Sequence, residues 1–357
     1  MRSKEKSINI LEIIKSLTFK AKYAKIIPKV NLRLERSMNM KKSTKIIISA
    51  VAAIAAVSAV AAKFFCDYAL KSGKNGFRVD MLPQNTKKEP DEMRDILKER
   101  TKEYTEWLKE NSEDVFLLTK DGVKVHAVLC KTAKTSRKYV IMCHGYKGNA
   151  YNLGFQAYNF NKMGYNVLAI DGRASGRTEG SYIGMGYLEK SDLKGYVNFI
   201  LARDPQAQIA LYGISMGAAE VMMASADGLP QNVKAVIEDS GFTNVWDAFK
   251  HQVRETFHIL PEPMLFLASA YAKIRLGFDF KQASAVEAVK KTNIPILFIQ
   301  GTKDSCIPFA MFDTLYKSCA SEKEVYVVDG ADHMQCDVVD PEKYYQTAER
   351  FLNKYIK

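Results

Sequence analysis

The sequence predicts an α/β fold: a mostly parallel sheet of eight strands with helices on both faces. Three observations carry this expectation. From Tyr139 onward, short apolar runs alternate with helical stretches, the order that builds a parallel sheet through crossover helices. Those runs are apolar almost without interruption, as strands must be when both of their faces are buried. One of them, Ile209 to Ile214, leads through Gly213-Ile-Ser-Met-Gly217 straight into Ala218-Ala219, which reads as strand, sharp turn and helix with a serine at the apex.

Two early strands, 114–119 and 123–129, flank Lys120-Asp121-Gly122, a hairpin-type turn. Further strands are expected at 139–143, 165–170, 208–212, 233–238, 294–300 and 324–328. Helices are expected near 153–163 and 187–203, after Ser215, near 309–318 and from Pro341. A helical insertion at about 246–276 interrupts the alternation; its Phe, Leu and Ala content suits either a small lid over an apolar pocket or plain packing on the core. Residues 113–357 thus form one α/β domain, and 66–112 a charged helical connector whose clearest helix is DEMRDILKERTKEYTEWLKEN.

Ahead of the connector runs IIISAVAAIAAVSAVAA, from Ile46 to Ala62, preceded by Lys41, Lys42 and Lys45 and closed by Lys63. With Phe64 and Phe65 it reaches membrane-spanning length, so 46–65 is expected to be a transmembrane or signal-anchor helix. The lysines on its amino-terminal side keep that end in the cytoplasm and leave the domain outside. Ala59-Val-Ala61 would serve as a cleavage site, which makes a processed, secreted protein the alternative. Residues 1–45 form a basic segment. Its first 39 residues are expected to lie upstream of the true start, because Glu35-Arg36-Ser37 can be encoded by a purine-rich ribosome-binding sequence just before Met38 and Met40.

The net charge of +12 suggests nucleic acid until it is located. Residues 1–45 hold 13 of the 52 Lys and Arg but 3 of the 40 Asp and Glu, so the remaining 39 basic and 37 acidic side chains nearly cancel. A phosphate-binding surface needs its basic stripe on the folded domain, and nucleic-acid binding is not expected. The six cysteines form no Cys-x-x-Cys pair and no metal-type spacing with histidine, so neither zinc nor a disulfide framework is expected, nor any other cofactor.

A serine hydroxyl is a weak nucleophile that needs a base, and the base needs an orienting acid. Asp304 follows the strand 294–300 and His333 the strand 324–328, giving the chain order Ser215, Asp304, His333 on loops where ligands meet a parallel sheet. Asp332 is the rival acid, but its place next to His333 makes an in-plane bond to the same ring awkward. Two amides are expected to face a developing oxyanion: Met216, after the serine, and Tyr146, in the loop His144-Gly-Tyr-Lys-Gly-Asn149 after strand 139–143. His144 reads as a residue that shapes that loop, His126 as a hairpin residue, and His251 and His258 as insertion residues.

From about residue 77 to the end, the chain resembles the α/β-hydrolase superfamily, and within it membrane-anchored bacterial serine hydrolases of the Bem46-type and serine-aminopeptidase-like branch. The resemblance rests on His144-Gly145-Tyr146-x-Gly148-Asn149, Asp171-Gly-Arg173-x-x-Gly176-x-Thr178-x-Gly180, Gly184-Met-Gly-Tyr-Leu-Glu189-x-x-Asp192, Gly213-x-Ser215-x-Gly217, Gly301-x-x-Asp304-x-x-Ile-Pro308 and Gly330-Ala-Asp-His333. It implies Ser215 as nucleophile, His333 as base, Asp304 as acid, and the Tyr146 and Met216 amides as oxyanion donors. Ala174-Ser175 and Thr178 depart from the family, where Gly-His and Ser are common; the change touches loop packing. Asp171 and Arg173 are read as holding that loop.

The expected activity is hydrolysis of small or medium carboxylic esters through an acyl-enzyme, with a small-molecule substrate and a membrane as partners. A peptidase or amidase is the first alternative, and a non-catalytic envelope-binding protein on the same scaffold the second.

Overall fold

A computed structural model describes residues 42–72, 91–133, 135–258 and 260–357. The expectations for residues 1–41, the upstream start included, lie outside them. The chain divides into two units, 1–61 and 62–357.

Helix α1, Lys42–Leu70, begins in the first unit. Its stretch Ser49–Leu70, 22 residues, is long and apolar enough to cross a membrane, and Val51, Ile54 and Val57 stand exposed. The helix passes without interruption from the expected span, 46–65, into the first residues of the expected helical connector. It runs on to Leu70, because Cys66 and Leu70 are fully buried in the hydrophobic core of the second unit.

The second unit holds one eight-stranded sheet in the order β1-β2-β4-β3-β5-β6-β7-β8. The strands are β1 Glu113–Leu118, β2 Lys124–Cys130, β3 Lys138–Cys143, β4 Asn166–Ile170, β5 Gln208–Ile214, β6 Val233–Asp239, β7 Ile296–Gly301 and β8 Lys323–Val328. β1 pairs with β2 and β2 with β4 antiparallel; every pair from β4 through β8 is parallel. The early hairpin is therefore the edge of the same sheet, and Gly122, with φ +81°, makes its turn.

Apolar side chains point alternately to the two faces of each central strand, and each face has its own core. Ile141, Leu168, Leu211, Val236 and Phe298 meet the helices α4 (Glu189–Arg203), α5 (Met216–Ser225), α8 (Ala285–Val289) and α9 (Phe309–Ser318). Val140, Val167, Tyr212, Ile237 and Ile299 meet α2 (Asp91–Glu110), α3 (Gly154–Lys162) and α11 (Pro341–Tyr355). The connector helix α2 thus packs on the domain: Leu108 is fully buried, and Tyr104 and Trp107 pack against Phe155 and Tyr158. The insertion is a pair of helices, α6 Val245–Phe257 and α7 Glu262–Leu276, and α10, Cys336–Val339, follows the last strand's loop.

Parallel strands end together, so the loops after β3, β5, β7 and β8 emerge along one edge of the sheet. This brings residues 144, 215, 304 and 333 to one place. Phe160 is fully buried against Tyr165, Tyr212 and Tyr345. Phe160→Ala should cost about 3–5 kcal/mol by removing buried surface and leaving a cavity. Urea denaturation of the detergent-solubilised chain measures it, and a loss below about 1 kcal/mol would show that this layer is not close-packed.

Candidate active site

The turn between β5 and α5 holds Ser215 at φ 56° and ψ −114°. A non-glycine residue stays there only where its surroundings enforce it. Gly213 and Gly217 allow the crossing: a Cβ on Gly213 would collide with the Gly217 carbonyl, and one on Gly217 with the Cys143 carbonyl of β3. The Ser215 N–H donates to the Asp239 carbonyl at the end of β6, 2.8 Å away.

His333 Nε2 lies 2.9 Å from Ser215 Oγ, and its Nδ1 lies 2.8 Å from Asp304 Oδ2. The Asp304 side chain is fully buried, that of His333 17% exposed. Asp304 Oδ1 accepts the amides of Cys306 at 2.9 Å and Ile307 at 2.7 Å, and Oδ2 also accepts Gln300 Nε2 at 2.8 Å. Every lone pair of that carboxylate is thereby aimed, which fixes the Nδ1-protonated tautomer of His333 and leaves Nε2 facing the serine. Asp332 turns the other way, accepting the Ser305 amide and hydroxyl.

Burial opposes a charge on His333, but the Asp304 carboxylate and then the Cys306 thiol outweigh it and raise the imidazole pKa well above its ordinary value. Cys306 is in turn held by the insertion: Gln252 of α6 donates to the Cys306 carbonyl at 2.8 Å and reaches its Sγ at 3.1 Å.

Across from the serine, the loop after β3 approaches until a Cβ on Gly145 would stand 3.5 Å from the Ser215 Cβ. His144 sets this loop. Its Nδ1–H donates to the Gly145 carbonyl at 2.7 Å and its Nε2 accepts the Gly172 amide at 3.0 Å. Burial lowers its pKa, so it stays neutral. No acceptor among the described residues takes the amide N–H of Tyr146 or Met216, which leaves both donors available to a ligand oxygen.

The remaining motif residues build walls. His126 lies buried with its ring between Asp171 at 2.7 Å and Asp114 at 2.9 Å, tying the hairpin to the loop after β4. Arg173 binds both Asp192 and Asp121. Thr178 accepts the His126 amide and donates to the Asp171 carbonyl. Glu189, pushed up to about 7 by burial, accepts the amides of Gly184 and Gly186. Among the described residues, no cluster of His, Cys, Asp and Glu is arranged to hold a metal ion.

Three residues at the site escaped the sequence reading. Gln252 sits in a segment with no motif of its own, and Cys306 at a variable position of the Gly301–Pro308 motif. Lys147 lies inside the His144–Asn149 motif, but at its variable position; its unusual feature, a buried ammonium, is visible only in three dimensions.

A family model described as "Serine aminopeptidase, S33" matches residues 134–275. An uncharacterized protein of Bacillus subtilis, YqkD, is 26% identical over 215 residues, 60% of this chain and 70% of its own length. Protein bem46 of Schizosaccharomyces pombe is 23% identical over 219 residues, 60% of this chain and 68% of its own. The esterase Pf2001 of Pyrococcus furiosus has the same fold, with a TM-score of 0.57 at 23% identity, covering 69% of this chain and 92% of the esterase. Sheet order, crossover helices and strand-end loops are those of the α/β hydrolases. Together these matches support the α/β-hydrolase superfamily, and within it the Bem46-like branch, as the family this chain resembles.

The bond from Asp304 predicts the titration of His333. In wild type the ring should hold its proton to a pH well above about 6.5. Asp304→Asn should lower that midpoint, and Asp332→Asn should move it far less. NMR of ring-labelled histidine reads both, and a larger shift from Asp332→Asn would mean the wrong carboxylate faces the ring.

Proposed function

We propose that this chain is a serine hydrolase that cleaves carboxylic esters through an acyl-enzyme on Ser215. The observation that carries the reading is the hydrogen-bonded chain from Ser215 Oγ through His333 to Asp304, beside two unpaired amides. Ser215 Oγ attacks the ester carbonyl carbon while His333 Nε2 takes its proton. The carbonyl oxygen, now negative, is received by the N–H groups of Met216 and Tyr146. Asp304 keeps the ring oriented and stabilises the imidazolium. His333 returns the proton to the departing alcohol oxygen. Water then enters by the same route in reverse roles, giving the carboxylic acid and free Ser215.

The reaction requires neutral His333, so activity should be lost as pH falls through the raised imidazole pKa and be present above it.

Esters are favoured over amino-terminal peptide bonds on electrostatic grounds. An aminopeptidase must hold a substrate ammonium, yet Asp304 is occupied by His333, Asp332 by Ser305, and Glu189 by the Gly184 and Gly186 amides. The side chain that does stand in the loop facing the serine is Lys147, of the wrong sign. The matched family's description keeps the peptidase as the second reading.

The apolar stretch within 46–70 supports membrane attachment. With Lys41, Lys42 and Lys45 on its amino-terminal side, the positive-inside rule leaves the hydrolase outside the cytoplasm.

A panel of p-nitrophenyl esters of increasing acyl length, run beside aminoacyl anilides, tests the proposal. Esters should be cleaved with kcat/KM rising as methylenes are added, since each buried CH₂ contributes about 0.8 kcal/mol, and Ser215→Ala should abolish turnover. Efficient anilide cleavage with no gain along the ester series would promote the peptidase.

A further inference from the structure

We propose that Lys147 and Tyr68 form a binding site for an anionic oxygen group, a carboxylate or a phosphate, carried by the ester that this hydrolase cleaves. The inference rests on the ester-hydrolase reading and names the class of ester.

Lys147 stands between Tyr146, whose amide is assigned to the oxyanion, and Gly148. Its backbone is fixed at φ 59°. The Gly148 amide donates to the Gly145 carbonyl at 3.0 Å, and Asn149 begins the next turn with its side chain accepting the Tyr151 amide at 3.0 Å. The root of the lysine is therefore rigid. Its Nζ lies 5.1 Å from the centroid of the Tyr146 ring, shielded from water and without a hydrogen-bond partner. Burial lowers its pKa, as an unbalanced charge requires.

Tyr68 lies on the last turn of α1, next to Ala69, which meets the Tyr146 side chain. The Tyr68 hydroxyl is also buried and unpartnered. Tyr146 Oη itself is occupied, donating to the Ala69 carbonyl. One orphan donor thus lies against the Tyr146 ring and the other on the residue next to Ala69, which accepts the Tyr146 hydroxyl, and no acidic side chain among the described residues pairs with the ammonium.

Buried polar groups are nearly always bonded, and a buried cation without a counter-charge is worse still. The missing partner is an acceptor with negative charge. An uncharged ester oxygen would satisfy the Tyr68 hydroxyl but leave the ammonium unbalanced, whereas a carboxylate or phosphate answers both. Lys147 directly follows the residue whose amide is assigned to the oxyanion, and on the proposed reading an anion held there belongs to the ester being cleaved. Lysine binds either group as a point charge, so the two sources have to be separated by substrate.

The test uses full-length protein in detergent and two matched substrate pairs. For carboxylate, p-nitrophenyl butyrate is compared with the mono-p-nitrophenyl ester of succinate. For phosphate, a monoacylglycerol is compared with the same 1-acylglycerol 3-phosphate. Wild type should prefer the anionic member of at least one pair, and that pair identifies the group. Lys147→Met should lower the anionic-to-neutral ratio of kcat/KM at least about tenfold, mainly through KM. Lys147→Arg should restore most of the ratio, and Tyr68→Phe should lower it by a smaller factor. Binding is read separately in Ser215→Ala, where the anionic ester should raise Tm and Lys147→Met should remove that rise. An unchanged ratio in Lys147→Met, together with a Tm rise that survives the substitution, would overturn the anion site. Ester binding without turnover in wild type would instead overturn the ester-hydrolase reading and leave the site standing.

Discussion

Ser215 sits in a backbone conformation that costs a non-glycine residue on the order of 1–3 kcal/mol. What holds it is a crossing of three backbones: β3, β5 and the first turn of α5 meet where Gly213 and Gly217 leave no room for a Cβ. The 2.8 Å bond from the Ser215 amide to Asp239 ties the turn to β6. That one close approach sets the direction of the hydroxyl, points the amide of Met216 toward the same side, and brings the loop after β3 into contact with the serine. The rest of the site is arranged around a point the sheet has already fixed.

The other partners arrive on strand-end loops, and each loop is itself pinned. Asp304 is held by two amides and by Gln300 before it meets His333. His144 spends both ring nitrogens on shaping the Gly145 loop. The Gln252 bond to Cys306 joins the inserted helix α6 to the loop carrying Asp304. At the opposite wall, Ala69 accepts from Tyr146 and Leu70 accepts the Ile183 amide at 2.7 Å. The last turn of α1 is thus built into the frame of the site.

Much of this was legible in the sequence because it follows from periodicity and from glycine. Buried strands read as continuous apolar runs, and the elbow reads as two glycines around a serine; Asp304 and His333 read as polar residues just past strand ends. The parts that were not legible depend on which side chains meet. Nothing in the local sequence of Phe64 to Leu70 says that an apolar helix continues into a globular core, since membrane and protein interior select the same residues. Gln252 is one glutamine on an amphipathic helix, and its bond to Cys306 is a long-range contact. Loop lysines are usually solvated, and nothing in the local sequence marks Lys147 as one whose ammonium is buried near the Tyr146 ring. That Asp304 and not Asp332 bonds the His333 ring was available from geometry, because adjacent residues cannot easily present a carboxylate in the plane of the same ring.

The central claim is that the strained serine forms a covalent bond to the acyl group. Trapping that intermediate tests it most directly: the protein is mixed with an activated ester at low pH, where deacylation is slow, quenched in acid, digested and mapped by mass spectrometry. The account predicts one acyl group per chain, attached to Ser215 and appearing as a burst that precedes steady turnover. Turnover without any acylated peptide, or acylation at another residue with Ser215 unmodified, would contradict it.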